Sequence, residues 1–278
     1  MTPPAAGEGP DTLAGALDWL RTTTGIVVHR TVRLHGGEIN VSHRLWTSDG
    51  ELVLRLAPPR EAELQVDRHS ECAILRRAAG AGLAPAVICC VPERGLLVTR
   101  EITPGAWSRE QACSAAGIAS MGRWLARLHA LAPPAACRVV DFGQVLAAYV
   151  ATLGAQGAGD EVLSPLREAA GRARDGALEP VGPALCHNDL HHLNIVGGVD
   201  VPLVVDWEYA GLGDPRLDLA QYALVHGLDA AQCAVLLQSY AAAGCRVTQA
   251  ELRAAMDLAA AVNCAWRAVA RAGGEATR

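Results

Sequence analysis

The chain contains no lysine; all 24 of its basic side chains other than histidine are arginine. Any mechanism that relies on a catalytic lysine is excluded, and contacts to phosphate must come from guanidinium or backbone N–H groups. Phenylalanine occurs once, as Phe142, and aromatic residues make up only 4%. Apolar residues still account for 51%, alanine foremost, so the chain reads as globular and its small side chains favour closely packed helices. No stretch of about 18 uncharged apolar residues is present, so no transmembrane helix and no membrane partner are expected. The opening MTPPAAGEGPD has no basic side chain and no apolar run, so it does not read as a signal peptide. Positive charge is not in excess: the net charge of −5 argues against a nucleic-acid partner and is compatible with a cationic substrate. No C-x-x-C pair occurs among the nine cysteines, at 72, 89, 90, 113, 137, 186, 233, 245 and 264. Their odd number and apolar surroundings point to free thiols in a reducing, cytoplasmic compartment.

What is present falls into two parts. Residues 1–10, rich in Pro, Gly and Ala, are expected to be disordered. Asp11 is expected to cap a short helix running to residue 20. Strands are expected at 26–34, 41–47, 51–56, 86–91 and 96–102, with a helix over 61–79 that ends at Gly80-Ala81-Gly82. After Pro104-Gly105 the pattern turns helical, with helices expected at 109–131, 141–154, 161–175, 214–227, 229–243 and 248–272. The expected organisation is α+β: a β-rich part over 11–103, a helical part over 104–278, and a ligand cleft between them. At 278 residues the length fits one or two domains.

The chemistry concentrates in LCHNDLHHLNIVGGVDVPLVVDWEYAGLGDPRLDLA, residues 185–220. His187, Asp189 and Asn194 form H-x-D-x-x-x-x-N, and Asp206 ends the apolar, β-branched run VPLVV, expected to be a buried strand. An Asp, then an Asn, then an Asp at a strand end is the set that phosphoryl transfer from ATP needs. One carboxylate takes the proton of the attacking hydroxyl; an amide oxygen and a second carboxylate hold Mg²⁺ against the phosphates. Asp189 is thus the expected base, and Asn194 and Asp206 the expected metal ligands. Glu208 is expected on the same side as Asp206 by strand alternation. His187, His191 and His192 also raise a zinc site, but the segment reads as strand and loop, not as the helix an i, i+4 pair requires.

CHNDL, DWEYAG and DP-x-x-DLA, in that order, closely resemble the choline/ethanolamine kinases and their bacterial relatives, including the thiamine kinases, within the wider aminoglycoside-phosphotransferase-like superfamily. The resemblance runs from about residue 34 to 266 and implies a two-lobed, protein-kinase-like fold, with the β-rich part as nucleotide-binding lobe. It implies that His187 packs under the catalytic loop, that Asp218 hydrogen-bonds that loop from below, and that Glu208, the Glu of DWE, supports the metal or the substrate. It implies that Arg55, in LVLRL, takes the place of the kinase lysine at the ATP phosphates, with Glu71 as its partner and Glu61 and Glu63 as rivals. The turn GGEIN, with Gly36, Gly37 and Asn40, resembles the family's GG-x-x-N turn, whose N–H groups face the phosphates. Residues 97–102 would form the hinge at the adenine edge. Trp266 falls where a late helix of choline kinases carries Trp at the choline site, but the family's second Trp is missing here.

The resemblance therefore implies transfer of the γ-phosphate of ATP, with Mg²⁺, to a hydroxyl of choline, ethanolamine or thiamine. An aminoglycoside acceptor shares H-x-D-x-x-x-x-N, although DWEYAG fits the choline and thiamine branch better. A protein kinase is disfavoured, since only seven residues separate Asp206 from Asp214, too few for a peptide-docking activation segment. A non-catalytic binding module would not need Arg55, Asp189, Asn194 and Asp206 together.

Overall fold

A computed structural model describes residues 12–34, 40–57, 66–174, 178, 181–241, 244 and 246–275. The expected disorder of 1–10, the Asp11 cap, Gly36, Gly37, Glu61, Glu63 and Cys245 lie outside the described residues.

The first half is organised by period-two patterning. Helix α1 (Leu13–Trp19) starts at Thr12, whose hydroxyl accepts from the Gly15 N–H, and continues as a wider turn over Leu20–Thr24. Strands β1 (Val28–Arg33), β2 (Val41–Thr47) and β3 (Gly50–Leu56) follow, then helix α2 (Arg68–Gly80), β4 (Val87–Val91) and β5 (Leu96–Arg100). The strands form one antiparallel sheet in the order β1-β2-β3-β5-β4. Alternation puts Leu52, Leu54 and Leu56 on one face, where they pack with Leu45, Leu96, Val98, Ala16 and Leu20. It turns Arg55 to the other face, under α2. Gly95, at φ 58°, closes the β4–β5 turn, and a Cβ there would lie 2.6 Å from that of Ala57, so only glycine fits. Helix α2 begins later than the expected residue 61. Asp67 is extended and its carboxylate accepts from the His69 and Ser70 N–H groups at 3.0 Å, fixing the first turn at Arg68.

The second half is helical, with α3 (Arg109–Cys113), α4 (Ala115–His129), α5 (Phe142–Ala155) and α6 (Asp160–Arg174). The single helix expected over 109–131 is broken at Ser114. This residue is extended and its hydroxyl caps α4 through the Gly117 N–H, just as Ser108 caps α3 in a capping box with Gln111. Short strands β6 (Ala184–Cys186), β7 (Ile195–Val196), β8 (Leu203–Val204) and β9 (Gly211–Gly213) pair as β6–β9 and β7–β8. Helices α7 (Pro215–His226), α8 (Ala230–Ala241) and α9 (Gln249–Glu275) close the chain. Helix α4 packs on α8, and α5 and α7 pack on α9. The small residues permit this closeness: a Cβ at Gly122 of α4 would lie 2.7 Å from the Leu236 carbonyl oxygen of α8. Trp107, Trp124, Trp207 and Tyr222 are buried in this core. No helix among the described residues is long and apolar enough to cross a membrane. The sheet with α2 and the helical half form the two lobes of a kinase-like α+β fold.

Candidate active site

Residues 187–194 link β6 to β7, and a buried scaffold holds them. Asp218, in the first turn of α7, is fully buried. Its Oδ2 accepts from the His187 N–H at 2.8 Å and its Oδ1 from the Asn188 N–H at 2.7 Å. His129 of α4 reaches the same Oδ2 with Nε2 at 3.2 Å, while its Nδ1 lies 2.8 Å from the Tyr240 hydroxyl. These partners assign Nε2–H as donor to Asp218 and Nδ1 as acceptor from Tyr240. His187 is also fully buried, with its ring edge against Trp207. Its Nδ1 accepts from the Asp189 N–H at 3.3 Å, and its Nε2–H donates to the Val205 carbonyl at 3.0 Å. Burial drives its pKa down to about 4, so the imidazole is neutral. It is a strut that joins the backbone of Asp189 to the backbone just before Asp206.

Asp189 and Asn194 come together: Asn194 Nδ2 donates to both the carbonyl oxygen and Oδ2 of Asp189 at 3.0 Å. Both contacts use the donor end of the amide; Oδ1 is the end a cation needs. VPLVV predicts Asp206 at a strand end, and the structure places it past one. The β7–β8 ladder stops at Val204, and Asp206 takes a left-handed backbone with φ 65°. Strand alternation therefore does not place Glu208. A polar network does. Glu208 Oε2 accepts from Asn40 Nδ2 at 2.8 Å and from Arg68 Nη1 at 3.2 Å.

The sheet lobe reaches this loop through charge. Arg55 is buried, with Nη1 2.9 Å from Asp206 Oδ1 and Nη2 2.5 Å from Glu71 Oε1. Arg68 Nη1 lies 2.7 Å from Glu71 Oε2, and its Nη2 donates to Asn40 Oδ1 at 3.1 Å. Burial works against ionisation of Glu71, but Arg55 and Arg68 together hold its pKa below the ordinary value. Asp206 is pushed up to about 6, by burial first and then by the charges of Asp189 and Glu71, although Arg55 pulls the other way. Glu208 is raised to about 7, by burial and then by Asp206. Two desolvated, mutually repelling carboxylates beside an Asn amide make a site short of positive charge. Its all-oxygen donors fit Mg²⁺.

Trp266 of α9 is half-buried, and its Nε1–H donates to the Tyr209 hydroxyl at 3.1 Å, next to Glu208 in sequence. His191 and His192 do not join His187 as ligands. The one group of three His, Cys, Asp or Glu ligand atoms within 4.8 Å of one another among the described residues is His129, Cys186 and Asp218. Both oxygens of that Asp218 already hold backbone N–H groups. Sequence reasoning missed Arg68, His129 and Tyr209. Arg68 had a signal: with a helix start at Asp67, Arg68-x-x-Glu71 is an i, i+3 pair. His129 had none, because its partners are 89 and 111 residues away.

The solved structures show the same architecture. A choline/ethanolamine kinase family protein from Mesorhizobium loti is 27% identical, with a TM-score of 0.69 over 86% of this chain and 78% of that one. The choline kinase LicA from Streptococcus pneumoniae, 16% identical, gives 0.79 over 92% and 90%, and has also been solved with AMP. The macrolide 2′-phosphotransferase MphH from Brachybacterium faecium, 23% identical, gives 0.70 over 95% of each chain. At such identities the last two speak for the fold alone. No curated protein matches the sequence. The model of the phosphotransferase enzyme family, APH, matches residues 30–258, which span both β2–β3 with Arg55 and the whole loop from His187 to Asp218, and the chain belongs to that family.

Proposed function

We propose that the protein is an ATP-dependent kinase of a small alcohol, transferring the γ-phosphate to a hydroxyl of choline, ethanolamine or thiamine. The observation that carries this reading is the convergence of Asp189, Asn194 and Asp206 with the Arg55–Glu71 pair from the opposite lobe. Asp189 is the base: its carboxylate, oriented by Asn194, accepts the proton of the attacking hydroxyl. Asn194 and Asp206, with Glu208 beside them, would hold Mg²⁺. The ion supplies charge neutralisation on the phosphate oxygens when bound. Arg55, anchored by Glu71, offers a planar fork of donors to the phosphates. Asn40, and Gly36 and Gly37 outside the described residues, would complete the nucleotide side. The nucleotide lobe would span 11–103 and the acceptor lobe 104–278. A cytoplasmic setting agrees with eight free cysteines among the described residues.

The acceptor half rests on Trp266 and Tyr209, an aromatic pair joined to the chain at Glu208. Aromatic faces beside a carboxylate suit a cationic nitrogen. The relatedness to a choline/ethanolamine kinase family protein supports the same class. The test is transfer from γ-radiolabelled ATP to choline, ethanolamine, thiamine and kanamycin in parallel. Labelled product with one of the first three is the expected result. Label on kanamycin alone sinks the acceptor assignment, and label on none of the four sinks the whole reading.

A further inference from the structure

The residue that follows Glu71 in α2 has no part in the site above. Cys72 is buried and faces Cys90 of β4. Its Sγ lies 3.8 Å from the Cys90 carbonyl oxygen. The sheet register makes this contact informative. Cys90 pairs with Leu97, and Leu97 pairs with Arg55. Directly paired residues point to one face of a sheet, so Cys90, Leu97 and Arg55 form a single row beneath α2. Helix α2 meets that row with two consecutive residues, Glu71 on Arg55 and Cys72 on Cys90. Cys89 faces the other way and packs with the cluster under α1.

We propose that Cys72 and Cys90 are a peroxide-sensitive dithiol whose closure to a disulfide draws α2 off Arg55. The Cys72 thiolate attacks one oxygen of hydrogen peroxide. The O–O bond breaks, Cys72 becomes a sulfenic acid, and the departing hydroxide takes a proton to become water. Cys90 Sγ then attacks the Cys72 sulfur, the S–O bond breaks, and the second oxygen leaves as water with the Cys90 proton. The two sulfurs give up two electrons in total, and the peroxide accepts both. Cys72 suits the first step. The neighbouring Cys90 side chain lowers its pKa to about 7, and the Arg76 guanidinium adds to this against the opposing effect of burial. Cys90 is shifted upward and stays the protonated partner. Arg76 Nη2 is held there by the Cys90 carbonyl oxygen at 3.4 Å.

An S–S bond of about 2.05 Å is far shorter than a contact between two thiols. Strand β4 is the edge of the sheet, and β3 with Arg55 lies two strands inward. Closing the bond therefore moves α2 toward the edge and stretches the Glu71–Arg55 pair. The loss of Arg55's anchor weakens ATP use; this consequence rests on the proposed function, whereas the disulfide does not.

The test treats the full chain with equimolar hydrogen peroxide, blocks remaining thiols and maps peptides by mass without reductant. The expected result is a peptide joining Cys72 to Cys90, released by dithiothreitol, in wild type and in Cys89→Ser. The peptide should be absent from Cys72→Ala and Cys90→Ser. With the same oxidised sample, KM for ATP should rise several-fold, acceptor KM should stay constant, and dithiothreitol should restore both thiols and KM. Absence of the linked peptide, or its formation through Cys89, overturns the site. A linked enzyme with unchanged KM for ATP overturns the coupling to Arg55. Peptide mapping needs no turnover, so it reads out even if no acceptor is phosphorylated.

Discussion

On the helical side of the cleft, the loop carrying Asp189 is held by contacts without a net ion pair through the loop itself. Backbone N–H groups meet Asp218, and a neutral His187 bridges to Val205. On the sheet side, Arg55 and Arg68 are held between Glu71, Asp206 and Glu208, so the anchors are charges joined by one neutral amide, Asn40. The difference is one of job. Hydrogen bonds to backbone fix a geometry whatever binds in the cleft. A set of two guanidiniums and three carboxylates changes its pairing when phosphate oxygens and a dication arrive, because the guanidiniums have more than one possible partner. Arg55 on Asp206, Arg68 on Glu208 and Asn40 on Glu208 all bridge the two lobes.

The sharpest way to break this comparison is to remove one charge from the sheet side. Arg68→Ala leaves Glu71 with Arg55 alone and Glu208 with the Asn40 amide alone, and both carboxylates are nearly fully buried. Loss of one partner of a buried ion pair costs about 3–5 kcal/mol, and urea unfolding should show a loss of that size. Adding Glu208→Gln should recover part of it, because the carboxylate left without a guanidinium is gone. If the double variant is less stable by the sum of the two single effects, the charges are not coupled and the contrast between the two sides fails.

Asp189→Asn touches the other side with little structural cost, since its side chain is about one-third exposed. Shape is kept and the proton acceptor is lost, so kcat should fall on the order of 10² or more with KM for ATP nearly constant. Steady-state kinetics at near wild-type rate would remove Asp189 from the role of base. Asp218→Asn should act more gently on the same loop. One oxygen still accepts, but an amide N–H now faces a backbone N–H, at about 1–3 kcal/mol. The expected outcome is a lower melting temperature and a reduced kcat without a change in ATP affinity. A fall in ATP affinity alone would mean that Asp218 does not act through the loop.

The same contrast explains what could be read from the sequence. Asp189, Asn194 and Asp206 lie within 18 positions of one another, and local spacing in a loop survives as local geometry. The β-rich and helical halves were legible because alternation and 3.6-residue periodicity are properties of short windows. Arg68 was hidden by a misplaced helix start: the expected onset at 61 ignored Asp67 as a cap, and Arg68 became one more surface arginine. The break at Ser114 was overlooked for a similar reason, since its Ser hydroxyl competes locally with the helix and the apolar pattern runs through it. Glu208 was singled out for its spacing, yet what holds it is Asn40, 168 residues earlier, and no window contains both.

The smallest effect concerns the acceptor, and it asks whether the neutral side of the cleft also carries specificity. Trp266 is half-buried against the helical core, which gives it packing to lose, and its Nε1–H meets the Tyr209 hydroxyl, which ties it to the Glu208 segment. A residue that only fills the core lowers stability when truncated and leaves KM values alone. A residue whose ring faces a bound cation raises the acceptor KM selectively. A cation–π contact contributes about 0.5–2 kcal/mol, so Trp266→Ala should raise the acceptor KM roughly several-fold to thirtyfold, with KM for ATP unchanged. Tyr209→Phe separates the two roles further. It removes the hydroxyl that orients the indole but keeps both rings, so it should raise the acceptor KM by less than Trp266→Ala does and barely move the melting temperature. A melting temperature that collapses in Trp266→Ala with no selective rise in acceptor KM would assign Trp266 to the core and withdraw the aromatic support for a cationic acceptor.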